Sequence, residues 1–161
     1  MRIGVISDTH DNARNIARIV AVLREAQVDR VIHTGDITRA ETLRLLGELA
    51  VPVFGVYGNN DHDRESLADV AAELGFELAD PPLELHWAGR RITVVHDRRA
   101  HPELELAGRD VLLHGHDHRF ALERIEGTLV FNPGECAGWL EGRNAVGVLD
   151  LIRLEADRLW F

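Results

Sequence analysis

Cysteine occurs once in the 161 residues, at position 136, which excludes an intramolecular disulfide. A chain without such staples fits a reducing compartment. Lysine and arginine form no run, and the formal net charge is −9. Both facts disfavour an extended nucleic-acid-binding surface. No apolar stretch approaches the ~18 residues of a membrane span, so no membrane partner is expected. Met1 runs directly into Arg2–Ile6, which reads as a strand and lacks the form of a signal peptide, so the expectation is a cytoplasmic protein. Internal repeats, low-complexity tracts and long linkers are missing too. The length then predicts one domain, 1–161, large enough to bury roughly 70% of its unfolded surface.

The first half alternates strand and helix. Arg2–Ile6, Arg30–Thr34 and Pro52–Tyr57 are short apolar runs suited to buried strands. Asn12–Ala26 carries Ile16, Ile19, Val20 and Leu23 at helical spacing, with Asn12 as a cap. Arg39–Leu49 and Arg64–Leu74 are the other expected helices, the latter stopped by Gly75. Such alternation argues for parallel pairing. The second half is richer in strands. Leu83–Trp87 and Arg91–Val95 form one expected hairpin, Phe120–Ile125 and Thr128–Asn132 another. Asp110–His114 reads as a buried strand, Pro102–Leu106 as a short helix, and Ala145–Leu154 with Arg158–Phe161 as a closing pair. Two stacked sheets with helices outside account for this order.

What the chain does contain is a series of metal-ligand residues, each just past an apolar run. They are Asp8 and His10, Asp36, Asn59, His96, and His116 with His118. Alone, Gly35-Asp36 and Gly58-Asn59-Asn60-Asp61 read as ordinary turns. A lone histidine such as His96 at a strand end is more often structural. Gly115-His116-Asp117-His118 is the strongest single signal, two imidazoles two residues apart after a glycine. Together the strand ends deliver oxygen and imidazole ligands to one sheet edge, which suits two divalent ions and phosphoester chemistry. His62, His86 and His101 read as surface residues, and His33 and His114 as core or ligand-supporting groups.

In this order, D-x-H, G-D, G-N, H and G-H-x-H resemble the calcineurin-like metallophosphoesterase superfamily, in its small bacterial and archaeal phosphodiesterase branch. The resemblance runs from Asp8 to Asn132-Pro133-Gly134. It implies an α/β (α+β) fold, a four-layer αββα sandwich of two mixed sheets flanked by helices. It also implies that Asp8, His10, Asp36 and His118 hold one metal, and Asp36, Asn59, His96 and His116 the other. Three positions depart from the pattern. Asn60 stands where many relatives have histidine, Asp97 where glycine is common, and Glu135-Cys136 where serine is frequent. Gly35-Asp36-Ile37-Thr38-Arg39-Ala40 does not match the G-D-x-x-D-R-G of protein phosphatases, which disfavours that activity.

The expectation is therefore a binuclear phosphodiesterase acting on small phosphodiesters or nucleotides by attack of a metal-bridging hydroxide. Asp36, Asn60 and His96 are the expected catalytic residues. Manganese is the first choice of metal, with Fe, Zn, Co and Ni also suited to mixed oxygen and imidazole ligands. Asparagine at position 60 can donate a hydrogen bond but not a proton, so good leaving groups should be favoured. Two alternatives stand beside this reading: a non-catalytic protein-interaction module on the same fold, and a nucleotide pyrophosphatase or nuclease using the same metals. Arg39, His62, Arg98, Arg99 and Trp139 are candidate pocket walls. A homo-oligomer is an open expectation, with Trp139, Leu140, Trp160 and Phe161 as possible interface or core residues.

Overall fold

The computed structural model describes residues 1–140 and 142–161. β1 (Arg2–Ile6), β2 (Arg30–His33), β3 (Val53–Val56) and β4 (Glu77–Ala79) pair in parallel, in that order. β10 (Ala145–Asp150) and β11 (Glu155–Trp160) extend this sheet antiparallel from β1. The second sheet has the order β5 (Leu83–Trp87), β6 (Arg90–Val94), β7 (Val111–Leu113), β9 (Thr128–Asn132), β8 (Ala121–Ile125). It is parallel through β6, β7 and β9, with antiparallel hairpins at both edges.

Burial explains the layering. β1 is apolar on both faces, as a central strand covered on both sides must be. Ile3 and Val5 face the second sheet, where Ile92, Val94, Val111, Leu113 and Phe131 meet them. Ile6 faces the helices α1 (Ala13–Glu25), α2 (Ala40–Leu45) and α3 (Arg64–Leu74), with Ile16, Ile19, Leu23, Leu43 and Leu67. Asn12 caps α1 by accepting the Asn15 N–H at 3.1 Å, and Asp63 caps α3 through Ser66 at 3.2 Å. Among the described residues no helix is long and apolar enough to cross a membrane.

The sandwich of two mixed sheets flanked by helices is present as expected, and its outermost layer on the second sheet is thin. Pro102–Leu106 is not a helix. Leu104 and Leu106 both pack on the outer face of the second sheet, against Val95, Leu112 and Val130. Side chains two residues apart share a face only in extended chain. A 3-10 turn at Arg98–Ala100 precedes this segment, capped by Asp97 accepting from the Arg99 N–H at 3.0 Å. Three other boundaries shift. The Arg39–Leu49 helix breaks into α2 and a 3-10 turn at Leu46–Leu49, and β4 is an added three-residue edge strand. The closing hairpin turns at 151–154 because the Asp150 carboxylate accepts the N–H groups of Ile152 and Arg153, at 2.8 and 3.1 Å.

Candidate metal centre

The parallel strands β1, β2, β3, β6 and β7 end at one edge, and the loops that follow them are cross-linked by backbone hydrogen bonds. Asp8 N–H donates to the Gly35 carbonyl at 3.0 Å, His10 N–H to Asp36 at 2.9 Å, and Gly115 N–H to His96 at 2.9 Å. Asp8, His10, Asp36, His116 and His118 all have left-handed backbones, with φ between 46° and 75°. Residues other than glycine seldom adopt that region, and such strain concentrates at functional sites. Alternating left-handed residues let Asp8 and His10, or His116 and His118, turn to the same side.

Other groups hold these loops in place. The buried Asp61 carboxylate accepts the backbone N–H groups of Asp36, Thr38 and Gly58, at 3.0, 2.6 and 2.6 Å. It therefore braces two ligand loops. Asn132 donates to the Gly115 carbonyl at 3.1 Å and to Asp117 at 2.9 Å. His33 accepts the Gly35 N–H at 3.1 Å and pairs with Thr9 Oγ1 at 2.9 Å. Burial drives its pKa down to about 3, so it is a neutral supporting group. Two glycines permit close approach. A Cβ on Gly115 would lie 2.7 Å from both Asp8 Oδ2 and Thr34 Oγ1, and one on Gly58 would overlap the Asp36 carboxylate.

The candidate ligand atoms fall into two groups with Asp36 between them. Asp8 Oδ1 lies 3.6 Å from His118 Nε2, and Asp36 Oδ2 lies 3.9 Å from His10 Nε2. On the other side, His96 Nε2 lies 2.9 Å from Asn59 Oδ1, 3.2 Å from His116 Nδ1 and 3.5 Å from Asp36 Oδ1. His96 Nδ1 faces the Thr34 carbonyl at 2.9 Å, and a carbonyl can only accept, so Nδ1 carries the ring proton. In the neutral ring, Nε2 then points a lone pair at other lone pairs. Asp8 Oδ2 is satisfied by Ser7 Oγ and by the His116 N–H at 3.0 Å. Asp8 Oδ1 and His10 Nε2 are buried with no hydrogen-bond partner. Bare acceptors converging from several sides fit a cation, and the cost of burying them unpaired argues for one.

The charges agree with this geometry. Burial raises the Asp8 carboxyl, against the pull of Ser7 and the histidines. Burial would raise Asp36 too, but His96 and the Asn60 backbone and amide hold it well below the usual carboxylate range. Asn60 is brought to the site with its amide engaged: Nδ2 donates to Asp36 Oδ2 at 2.7 Å and its backbone N–H to Oδ1 at 2.9 Å.

Sequence reasoning passed over two supporting carboxylates. Fully buried Glu135 accepts the His118 Nδ1–H at 2.6 Å and the Trp139 N–H at 2.8 Å, which turns His118 Nε2 toward Asp8. Asp97 Oδ2 lies 3.5 Å from His116 Nε2, the nitrogen that faces away from His96. Both stand where the sequence departs from the family pattern. A carboxylate behind an imidazole fixes its tautomer and raises its basicity. Trp139 stacks on His118 at 4.6 Å and 16° and sits 4.3 Å from His10, with 63% of its surface exposed. Of the other candidate walls, Arg39 pairs with Asp11, Arg98 with Glu123 and Arg99 with Asp97, and His62 is exposed. His86 is exposed as expected, whereas His101 is half-buried beside the site. Buried Cys136 donates to the Ala145 carbonyl, and burial pushes its pKa up to about 12, so it is no nucleophile.

A sandwich of mixed sheets with acidic and imidazole groups converging at the strand ends defines a metallophosphoesterase. The chain belongs to the calcineurin-like phosphoesterase superfamily, whose domain matches residues 1–153, and is thereby a phosphoester hydrolase. It is 31% identical over 160 residues to phosphodiesterase MJ0936 of Methanocaldococcus jannaschii, covering 96% of each protein. A solved archaeal phosphodiesterase superimposes with a TM-score of 0.91 at 28% identity over 100% of both chains. At 19% identity the fold is shared with zinc-complexed Vps29 of Entamoeba histolytica, TM-score 0.68, over 99% of this chain and 98% of that one.

Proposed function

We propose that this chain is a binuclear metal-dependent phosphodiesterase that acts on small diesters. The observation that carries the reading is the Asp36 carboxylate, one oxygen facing His10 and the other His96, between two sets of candidate ligand atoms. Asp8, His10, Asp36 and His118 would hold one ion, and Asp36, Asn59, His96 and His116 the other. A pair of divalent ions there supplies an acidified water as nucleophile and positive charge for the phosphoryl oxygens. Asp36 aligns the two sets, His96 is locked in one tautomer by Thr34, and Asn60 fixes both Asp36 oxygens. Asn60 therefore acts mainly as a positioning residue, and the leaving group gains little proton transfer from it. Aryl and other well-stabilised leaving groups should react best, alkyl monoesters poorly.

The name of the Methanocaldococcus relative supports the diester preference. No candidate ligand position has been lost, which weighs against a purely interacting role. Manganese remains the first choice of metal, and the free Cys136 thiol suits a cytoplasmic setting for a single-domain protein. Self-association would use Trp160, 57% exposed, rather than Phe161, which packs on the helix-side core. The test is metal analysis with turnover of bis(p-nitrophenyl) phosphate before and after chelation. About two ions per chain and activity restored by Mn2+ are expected. A fully metal-loaded protein inert on every diester would transfer the reading to the interaction module.

A further inference from the structure

Beside the metal centre lies a cavity of about 310 Å3. Asn59, His96 and His116, the second set of candidate ligands, are part of its lining. Tyr57, Pro81, Ala100, His101 and Arg64 line it as well. The walls are built. Tyr57 follows β3, its N–H donates to the Ala79 carbonyl at 3.0 Å, and its ring packs on the helix-side core. The Arg64 guanidinium stacks 4.8 Å from the Tyr57 ring centre and is paired with Asp80. His101 Nδ1 lies 3.4 Å from Glu103 Oε1.

We infer that this cavity is the subsite for one ester arm of the substrate, and that the arm is planar and aromatic, an aryl group or a nucleobase. The inference rests on the metal centre proposed above. Two rings and a proline offer flat apolar faces, and aromatic groups prefer offset or edge contacts with such walls. The volume falls at the lower end for small-ligand sites, enough for one ring system and not for an extended chain. Charge sets the class further. Arg64 is the sole Lys or Arg lining the cavity among the described residues, and it is paired with Asp80 as Asp97 is with Arg99, which leaves little excess positive charge there. A second phosphate would have to compete with Asp80 for the one guanidinium, so the subsite favours a diester over a pyrophosphate.

Phenylphosphonate and methylphosphonate test this, because their P–C bonds stand in for the ester oxygen and are not hydrolysed. Calorimetric titration of the Mn2+-loaded protein should give about 5- to 10-fold tighter binding of the phenyl compound. Tyr57→Leu and His101→Ala should each cut that preference to about twofold or less while methylphosphonate affinity stays the same, which also reports an intact fold. Equal affinity in the parent, or a preference kept in both variants, overturns the subsite. Failure of both phosphonates to bind would instead sink the metal-centre reading, and this inference with it.

Discussion

Replacing Glu135 with glutamine changes little in volume and isolates one contact. The carboxylate serves two donors, His118 Nδ1–H at 2.6 Å and Trp139 N–H at 2.8 Å. Glutamine has one acceptor oxygen, so it must present its NH2 group to one of them. If the oxygen stays with Trp139, His118 Nδ1 faces a donor and the ring proton moves to Nε2, the nitrogen aimed at Asp8. A protonated nitrogen cannot ligate. Loss of such a supporting group typically weakens metal binding about 10- to 100-fold, or about 1.4–2.7 kcal/mol. The assay is Mn2+ titration of metal-free protein against a competing chelator. Trp139 supplies an internal signal through its stack on His118, and a Trp139→Phe control separates it from Trp87 and Trp160. One binding step should weaken, while the other, on the Asn59, His96 and His116 side, stays within about threefold. Unaltered affinity for both ions would refute the reasoning, as would equal weakening of both steps accompanied by a fall in Tm.

Gly115→Ala should lower stability by about 1–3 kcal/mol in urea melts, because the added methyl overlaps Ser7 Oγ and crowds the Asp8 and Thr34 oxygens in a packed loop. Asn60→His should raise kcat on a diester with a poor leaving group more than on an aryl diester. No change on either would end the account of position 60 as the place where a proton donor is lacking. His33 is buried neutral with its pKa lowered to about 3, so the unfolded chain binds the proton first as pH falls below about 6.5. Its contribution to stability is complete above pH 6.5 and is lost toward pH 3. Urea midpoints of metal-free parent and His33→Gln should therefore converge as pH drops. His96 and His118, both raised, give both proteins the opposite slope, and the difference cancels it.

The positions of the candidate ligands were legible because each follows a run apolar enough to be a buried strand, and parallel strands share an edge for their C-terminal ends. Their geometry was not. Nothing in Asp8-Thr9-His10 states that both outer residues turn left-handed, since that conformation depends on the facing loop accepting their N–H groups. The support for His116 and His118 was hidden for a related reason. Asp97 and Glu135 reach them from other loops, and a carboxylate far away in sequence carries no local sign of its partner. The Pro102–Leu106 helix failed because Leu104 and Leu106 answer to the outer face of the second sheet, a tertiary demand that overrides local preference. Tyr57 and His101 looked unremarkable until the fold set them across one cavity.

The two carboxylates that break the family pattern stand behind the two histidines of Gly115-His116-Asp117-His118, one behind each. That pairing links the departures to a single physical need. Both histidines sit on a strained turn held by the Asn132 hydrogen bond to the Gly115 carbonyl and by the close approach that Gly115 permits. Such a turn fixes where the rings lie, but it does not decide which ring nitrogen carries the proton. The carboxylates decide that, turning a lone pair of each ring inward. Their placement also follows the asymmetry of the site. Glu135 is sealed from water and makes a short bond, whereas Asp97 is partly exposed, longer in reach and shared with Arg99. Electrostatic support weakens with solvent access, so Glu135 should govern its histidine far more strongly than Asp97 governs its own.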